Sequence, residues 1–318
     1  MHPQNIVILG TGGTIAGQAA SASDNIGYTA AQVGVEQLVA AVPPLARFGP
    51  LVTEQVAQVD SKDMSFEVWG RLAGRVNHFL AQPDVQGIVI THGTDTLEET
   101  AYFLHAVCRP DKPVVLTCAM RPATALVPDG PQNMLDAMAV ARHAGARGVV
   151  AVCAGTIHSA LDVQIVHTFK MDAFDSGDAG PIGYVEEGSL RLMRNWPETH
   201  TGRAQAAIKI IANPVAPVLW PRVEIVMNHA GAGGAVVEAL LAQGVQGLVV
   251  AATGNGTVHH ALEAALLRAQ SAGVRVVRAT RCLNGRVLPT PGDLISDSQG
   301  LSPVKARIAM MLELLAES

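Results

Sequence analysis

The chain has 318 residues, 49% of them hydrophobic and 15% charged, which is enough to bury a large core and to divide into two domains. A formal net charge of −5, with no block of like charges, excludes the electrostatic footprint of a nucleic-acid partner. No apolar run approaches the length that crosses a bilayer, so no membrane partner is expected.

The start, Met1-His2-Pro3-Gln4-Asn5, runs straight into the apolar Ile6-Val7-Ile8-Leu9. It lacks the basic region and cleavage site of a signal peptide, and a cytoplasmic location is expected. Short β-branched runs then alternate with helical patterns. Ile6–Leu9 precedes a helix over Gly34–Ala41, Leu51–Val59 a helix over Phe66–Leu80, and Gly87–Thr91 a helix over Leu97–Val107. Pro113–Cys118 leads towards Asn133–Ala144, and Gly148–Cys153 closes the series. This rhythm predicts an α/β fold with a parallel sheet covered on both faces. Glu186–Asn213 breaks it with Gly188, Trp196, Pro197 and Gly202 and reads as a linker. Strands over Val223–Met227, Gly247–Ala252 and Val274–Ala279 follow, with helices over Gly234–Ala242, Val258–Ser271 and Pro303–Leu315. The expected organisation is a larger N-terminal domain (1–190), a linker (191–215) and a smaller C-terminal α/β domain (216–318). The four cysteines, Cys108, Cys118, Cys153 and Cys282, form no C-x-x-C pair, and three lie in or beside apolar segments, as suits reduced thiols.

Ligands of open α/β sheets collect at the carboxyl ends of strands. Three polar loops stand at such ends: Gly10-Thr11-Gly12-Gly13-Thr14-Ile15-Ala16-Gly17, Asp60-Ser61-Lys62-Asp63 and Thr91-His92-Gly93-Thr94-Asp95-Thr96. Loops from one sheet converge on one crevice, so Thr14, Ser61, Thr94 and Asp95 are candidates for a shared site. A dinucleotide fingerprint fails in the first loop, because Ile15 holds the place of its third glycine and no acidic ribose partner follows. The eleven histidines show no metal-ligand spacing, and neither metal nor cofactor is expected. Taken singly, Thr14 reads also as a turn residue and Asp95 as a helix cap. His92 reads as a hydrogen-bonded strand-end histidine, and His259-His260 as helix-start surface residues.

Together the loops are more specific. T-G-G-T-I-A-G near the start and T-H-G-T-D-T-L-E-E-T a quarter of the way along resemble the two signatures of the bacterial-type L-asparaginase and glutaminase-asparaginase family. The segments Y-T-A-A-Q-V-G-V-E-Q-L, D-S-K-D-M, A-M-R-P and D-G-P-Q-N occur in that family's order. Gly254-Asn255-Gly256-Thr257 resembles its C-domain loop, and Pro303-Val304-Lys305-Ala306-Arg307 its final helix. The resemblance implies an amidohydrolase that releases ammonia from the side-chain amide of asparagine through a threonine acyl-enzyme. It implies Thr14 as nucleophile, Tyr28 on a lid segment as its assistant, Thr94 as second threonine and Asp95 as the carboxylate that holds the substrate ammonium. Substrate contacts are implied at Gly13, Ser61, Lys62, Gly93, Thr94, Asp95 and Ala119, with oxyanion donors at the amides of Gly13 and Thr94. A homotetramer of two close dimers is implied, Gly254–Thr257 closing the site of a neighbouring chain.

The sequence departs from the family in three places. Ile165 stands where the family has a lysine that deprotonates the second threonine, and isoleucine cannot move a proton. Lys62 follows Ser61 where a glutamine or small polar residue is usual. No acidic residue of the C-domain matches, Arg286 and Asp293 being the nearest charged candidates. Lys62 either pairs, charged, with the substrate carboxylate or serves, neutral, as base to Thr94, and His167, two residues along an extended strand from Ile165 and so on the same face, is its competitor. Otherwise Thr94 works without a side-chain base. A different small amide, or a ligand-binding homologue with weak activity, is the alternative reading.

Overall fold

The computed structural model describes residues 5–108, 110–198, 211 and 218–317. The chain divides into two compact units, Met1–Thr201 and Gly202–Ser318.

The first unit carries five parallel strands: β1 (Asn5–Gly12), β2 (Leu51–Val59), β3 (Val85–Thr91), β4 (Pro113–Thr117) and β5 (Gly148–Cys153). Between them lie helices α1 (Val35–Ala40), α2 (Phe66–Leu80), α3 (Leu97–Cys108) and α4 (Gly130–Arg142). Antiparallel strands extend one edge: β6 (Thr156–Ser159), β9 (Gly183–Glu186) and β10 (Ser189–Leu192). A separate two-residue ladder joins β7 (Gln164–Ile165) to β8 (Phe174–Asp175). The sheet order is β10-β9-β6-β5-β4-β3-β1-β2.

Alternation along the buried strands sends successive side chains to opposite faces. Ile6 and Ile8 of β1 share a core with Val35 and Leu38 of α1 and Met134 and Met138 of α4. The α2 helix starts where Ser65 accepts the Val68 amide at 3.3 Å. It buries Val68, Trp69, Leu72, Val76 and Phe79, an apolar stripe at helical spacing. Trp69 donates to the Thr100 hydroxyl at 2.9 Å and stacks on Phe103, which ties α2 to α3.

The sheet is mostly parallel, as the α/β rhythm predicts, with antiparallel strands added at one edge. Two hairpins account for these. Ala154-Gly155 and Glu187-Gly188 each have φ between +48° and +75° at both positions, the geometry that a two-residue hairpin loop requires. The second hairpin takes Arg191 and Leu192 of the expected linker into β10. The remainder of that linker lies largely outside the described residues.

The second unit is an all-parallel sheet of order β11-β12-β13-β14: β11 (Val223–Met227), β12 (Gly247–Ala252), β13 (Arg275–Thr280) and β14 (Ser296–Asp297). Helices α5 (Ala235–Ala242) and α6 (His260–Ser271) pack on each other, and α7 (Pro303–Glu317) covers β11, β12 and β13. Among the described residues, no helix is long and apolar enough to cross a membrane.

Candidate active site

In the first unit, β2 and β3 lie on opposite sides of β1. The chain thus reverses direction across the sheet between β1 and β3, and ligands of open α/β sheets bind outside the strand ends at such a point. The loops after β1, β2 and β3 meet there.

Their contact is backbone on backbone. Gly13 has φ +78°, and a Cβ on it would lie 2.3 Å from Gly93 Cα and 2.4 Å from Gly93 N. A Cβ on Gly93 would lie 2.3 Å from the Ser61 hydroxyl oxygen. Residues 13, 93 and 61 are thereby stacked without intervening side chains. Thr11 donates to the Thr91 carbonyl at 3.0 Å, joining the ends of β1 and β3. The Ser61 hydroxyl accepts the Asp95 amide at 3.2 Å, and the Ser61 carbonyl accepts the Thr96 hydroxyl at 2.8 Å.

Thr14 follows in a short 310 turn, 5% exposed, with its hydroxyl 2.7 Å from the Tyr28 hydroxyl. Tyr28 ends an excursion closed at its base by Gln18 and Thr29, whose backbones exchange hydrogen bonds of 2.9 and 2.8 Å. Within the excursion, the Asp24 carboxylate accepts the amides of Ile26 and Gly27, which hold its pKa below the usual carboxylate range. Residues 122–127 pin the segment from outside. Thr124 accepts the Ala19 amide at 2.8 Å, while the amides of Ala123 and Leu126 donate to the carbonyls of Gly17 and Ala22.

The oxyanion assignment needs one correction. The Gly13 amide donates to the Val59 carbonyl at 2.9 Å and is occupied. The Gly13 carbonyl accepts from Ala16 and Ala31 at 3.2 and 3.0 Å. This leaves the Thr14 amide, at the head of its turn, with no acceptor among the described residues. The Thr94 amide is likewise without a partner among them. Thr94 is 8% exposed, and its hydroxyl makes no hydrogen bond to a described residue. Asp95 is exposed and makes no side-chain bond to the helix it precedes, so the cap reading finds no support.

His92 is wholly buried. Burial pushes its pKa down to about 4, against an opposing contribution from the Gly93 carbonyl 2.7 Å from Nδ1.

Neither replacement for the lysine has the geometry of a base. The Lys62 ammonium is bonded to Asp60, lies 3.6 Å from Asp63, and is well exposed. The Asp60 hydrogen bond raises its pKa, opposite to the direction that a neutral amine requires. His167 accepts the amides of Phe169 and Lys170 on Nδ1, both at 3.0 Å, so that lone pair is committed to a turn. The extended strand expected through Ile165 and His167 ends at Ile165, and the argument that they share a face falls with it. Lys170 sits exposed in the turn between β7 and β8.

Two residues with consequences for the site carried no role in the sequence reading, although both lie in D-G-P-Q-N. Asp129 accepts the amides of Met120 and Arg121 at 2.9 and 3.0 Å. Buried Asn133 donates to the Cys118 carbonyl at 2.9 Å and accepts the Ala154 amide at 3.0 Å. Together they fix the turn around Ala119, itself 1% exposed, beyond β4.

In the second unit, Gly254–Thr257 is a loop held by hydrogen bonds. Thr253 and Thr257 bridge, Thr280 donates to the Gly254 carbonyl at 2.7 Å, and Asn255 pairs with both backbone groups of Leu288. Asp293 is engaged by Arg278 and Thr290. His259 accepts the Ala261 amide as the cap of α6. No group of His, Cys, Asp or Glu among the described residues is placed to hold a metal.

A buried threonine hydroxyl against a phenol, with free backbone amides beside it at a sheet switch point, is an arrangement suited to hydrolysis in an α/β protein. Residues 5–198 match the family model "Asparaginase, N-terminal", and residues 222–318 match "Glutaminase/Asparaginase C-terminal domain". The chain is 39% identical to a glutaminase-asparaginase of Pseudomonas fluorescens, over 98% of this chain and 86% of that protein. It is 38% identical to L-asparaginase 2 of Escherichia coli, over 98% and 88%. A crystal structure of a probable cytoplasmic L-asparaginase from Campylobacter jejuni superposes with a TM-score of 0.91 at 37% identity, covering 98% of this chain and 95% of that one. The chain belongs to the asparaginase family and is a hydrolase of that family.

Proposed function

We propose that the protein hydrolyses the side-chain amide of L-asparagine to aspartate and ammonia through an acyl-enzyme on Thr14. The observation that carries this reading is the 2.7 Å contact between the Thr14 and Tyr28 hydroxyls. A threonine hydroxyl is a weak nucleophile until a neighbour takes its proton, and Tyr28 is the group in reach. Thr14 Oγ1 adds to the amide carbon. The negative charge that forms on the carbonyl oxygen is met by the amides of Thr14 and Thr94. The C–N bond breaks, the nitrogen leaves as ammonia with the proton, and water cleaves the ester to give aspartate and free Thr14. Exposed Asp95 holds the substrate ammonium, and Ser61, Gly13, Gly93 and Ala119 line the crevice. Lys62, already neutralised by Asp60, supplies at most a peripheral charge.

Thr14→Ala tests the reading. The variant should fold as the parent does and release no ammonia, and a reactive asparagine analogue should label Thr14 of the parent only. Labelling at Thr94 instead reverses the assignment of the nucleophile.

Two observations favour a second reading. Ile165 is half-buried where the resemblance places lysine, and the Thr94 hydroxyl has no partner among the described residues. A slow hydrolase of another small amide, or a ligand-binding homologue, fits that gap. Ammonia release from asparagine, D-asparagine, glutamine and dicarboxylic half-amides separates these readings, because one methylene changes binding only modestly.

By resemblance the protein is a homotetramer in which Gly254–Thr257 meets the site of a neighbouring chain. A cytoplasmic location is supported by the name of the Campylobacter relative and by four free cysteines. Three of these are buried, and the Cys118 and Cys153 sulfurs are 3.4 Å apart as thiols.

A further inference from the structure

We propose that His92 is a positioning residue for the hydrolysis. Its Nδ1–H holds the Gly93 carbonyl, so that the amide at the other end of the same peptide, Thr94 N–H, faces the reacting carbonyl. The inference rests on the reading of Thr94 N–H as an oxyanion donor.

The carbonyl and N–H of one trans peptide lie in a single plane and point in opposite directions. Whatever fixes the oxygen of Gly93 therefore fixes the N–H of Thr94. A carbonyl only accepts, so the ring nitrogen 2.7 Å from Gly93 O carries a proton. The ring has no freedom to turn elsewhere. It is 0% exposed, its own backbone amide is tied to the Thr117 carbonyl at 2.8 Å, and Nε2 has no partner among the described residues. Burial keeps the imidazole neutral at ordinary pH, with its pKa near 4, so the ring has a single proton and places it on Nδ1.

The loop after β1 uses the same device with different material. There the Gly13 carbonyl is anchored by the backbone amides of Ala16 and Ala31, and the Thr14 amide is left without an acceptor among the described residues. Of the two donors, the one at Thr94 is oriented by a side chain, and only that anchor is open to substitution. A histidine kept for packing alone would place no requirement on which nitrogen bears the proton, nor on the donor position within a replacement.

Three variants make the distinction. His92→Asn sets an amide nitrogen near the place of Nδ1, His92→Gln sets it near the place of Nε2, and His92→Phe keeps a ring without a donor. His92→Asn should stay within about fivefold of the parental kcat, whereas His92→Gln and His92→Phe should lose on the order of 100-fold in kcat with KM little changed, as loss of one oxyanion donor does. Aspartate, the product, should bind all forms alike. Equal kcat for the Asn and Gln variants overturns the inference, whether that common value is high or low. The unsubstituted protein gives an independent check that survives even if no variant folds. Its 15N-resolved imidazole signals should report the Nδ1–H tautomer for His92, and an Nε2–H tautomer overturns the inference. If the parent releases no ammonia from any amide, the functional reading itself fails. If it does release ammonia and the Asn and Gln variants agree, only the role of His92 fails.

Discussion

At Gly13 the crevice tolerates no side chain. The positive φ disfavours any L-residue, and a methyl group would enter the backbone of Gly93 rather than a movable side chain. Gly13→Ala should cost about 3 kcal/mol or more in denaturant unfolding and should separate Thr14 from Thr94, abolishing turnover. His92 makes a different prediction, in pH. Its pKa is near 4 when folded and about 6.5 in an unfolded chain. Between these values the unfolded chain binds the extra proton, so stability is complete above about pH 6.5 and falls as pH drops towards 4, by on the order of 3 kcal/mol. His92→Asn should flatten that part of the stability–pH curve. A slope identical to the parent's would show that the ring titrates normally in the fold.

The elements that position the crevice differ in how openly the sequence announces them. Asn133 of α4 satisfies the Cys118 carbonyl and the Ala154 amide at once. Asn133→Ala should therefore lower stability by about 2 kcal/mol, since the buried Cys118 carbonyl and the part-buried Ala154 amide lose their partner, and should raise KM through a loosened turn at Ala119. Thr124→Val removes one of the three bonds by which residues 122–127 hold the Tyr28 segment. It should leave the melting temperature within a few degrees while increasing proteolytic nicking within residues 18–27. The strands β1, β3, β4 and β5 were legible because β-branched runs buried on both faces carry an unbroken apolar signal, whereas β2, at the sheet edge and only partly buried, was legible from its β-branched residues. β6, β9 and β10 were not, being four residues long and partly exposed, with the turn glycines the main trace of their hairpins. The three strand-end loops were legible as one site from their glycines and polar residues. The engaged amide of Gly13, the turn at His167 and the Asp60 partner of Lys62 were not, since each depends on which neighbour the fold supplies.

For the whole molecule, the prediction is assembly. If Gly254–Thr257 serves a neighbouring chain, dilution should remove activity in step with the loss of the tetramer in sedimentation. A fully active monomer would confine each site to its own chain. Either result bears on the departures noted in the second unit, where Asp293 is already engaged by Arg278 and Thr290. Arg286 is exposed there. Arg286→Ala should change KM only if this surface meets a site.

The placement of β1 between β2 and β3 has a consequence for synthesis. Ile6, Val7, Ile8 and Leu9 are all 0% exposed in the finished protein, yet the residues that flank them on the β3 side, Val85–Thr91, are made about 80 residues later. At roughly 5–20 residues per second, this inner strand spends several seconds outside the ribosome with one edge open. An apolar edge of that kind is a template for unwanted pairing. The crevice between residues 13 and 93 cannot exist until the edge closes. A nascent chain stopped before β3 should bind a holding chaperone, and one stopped well after it should not.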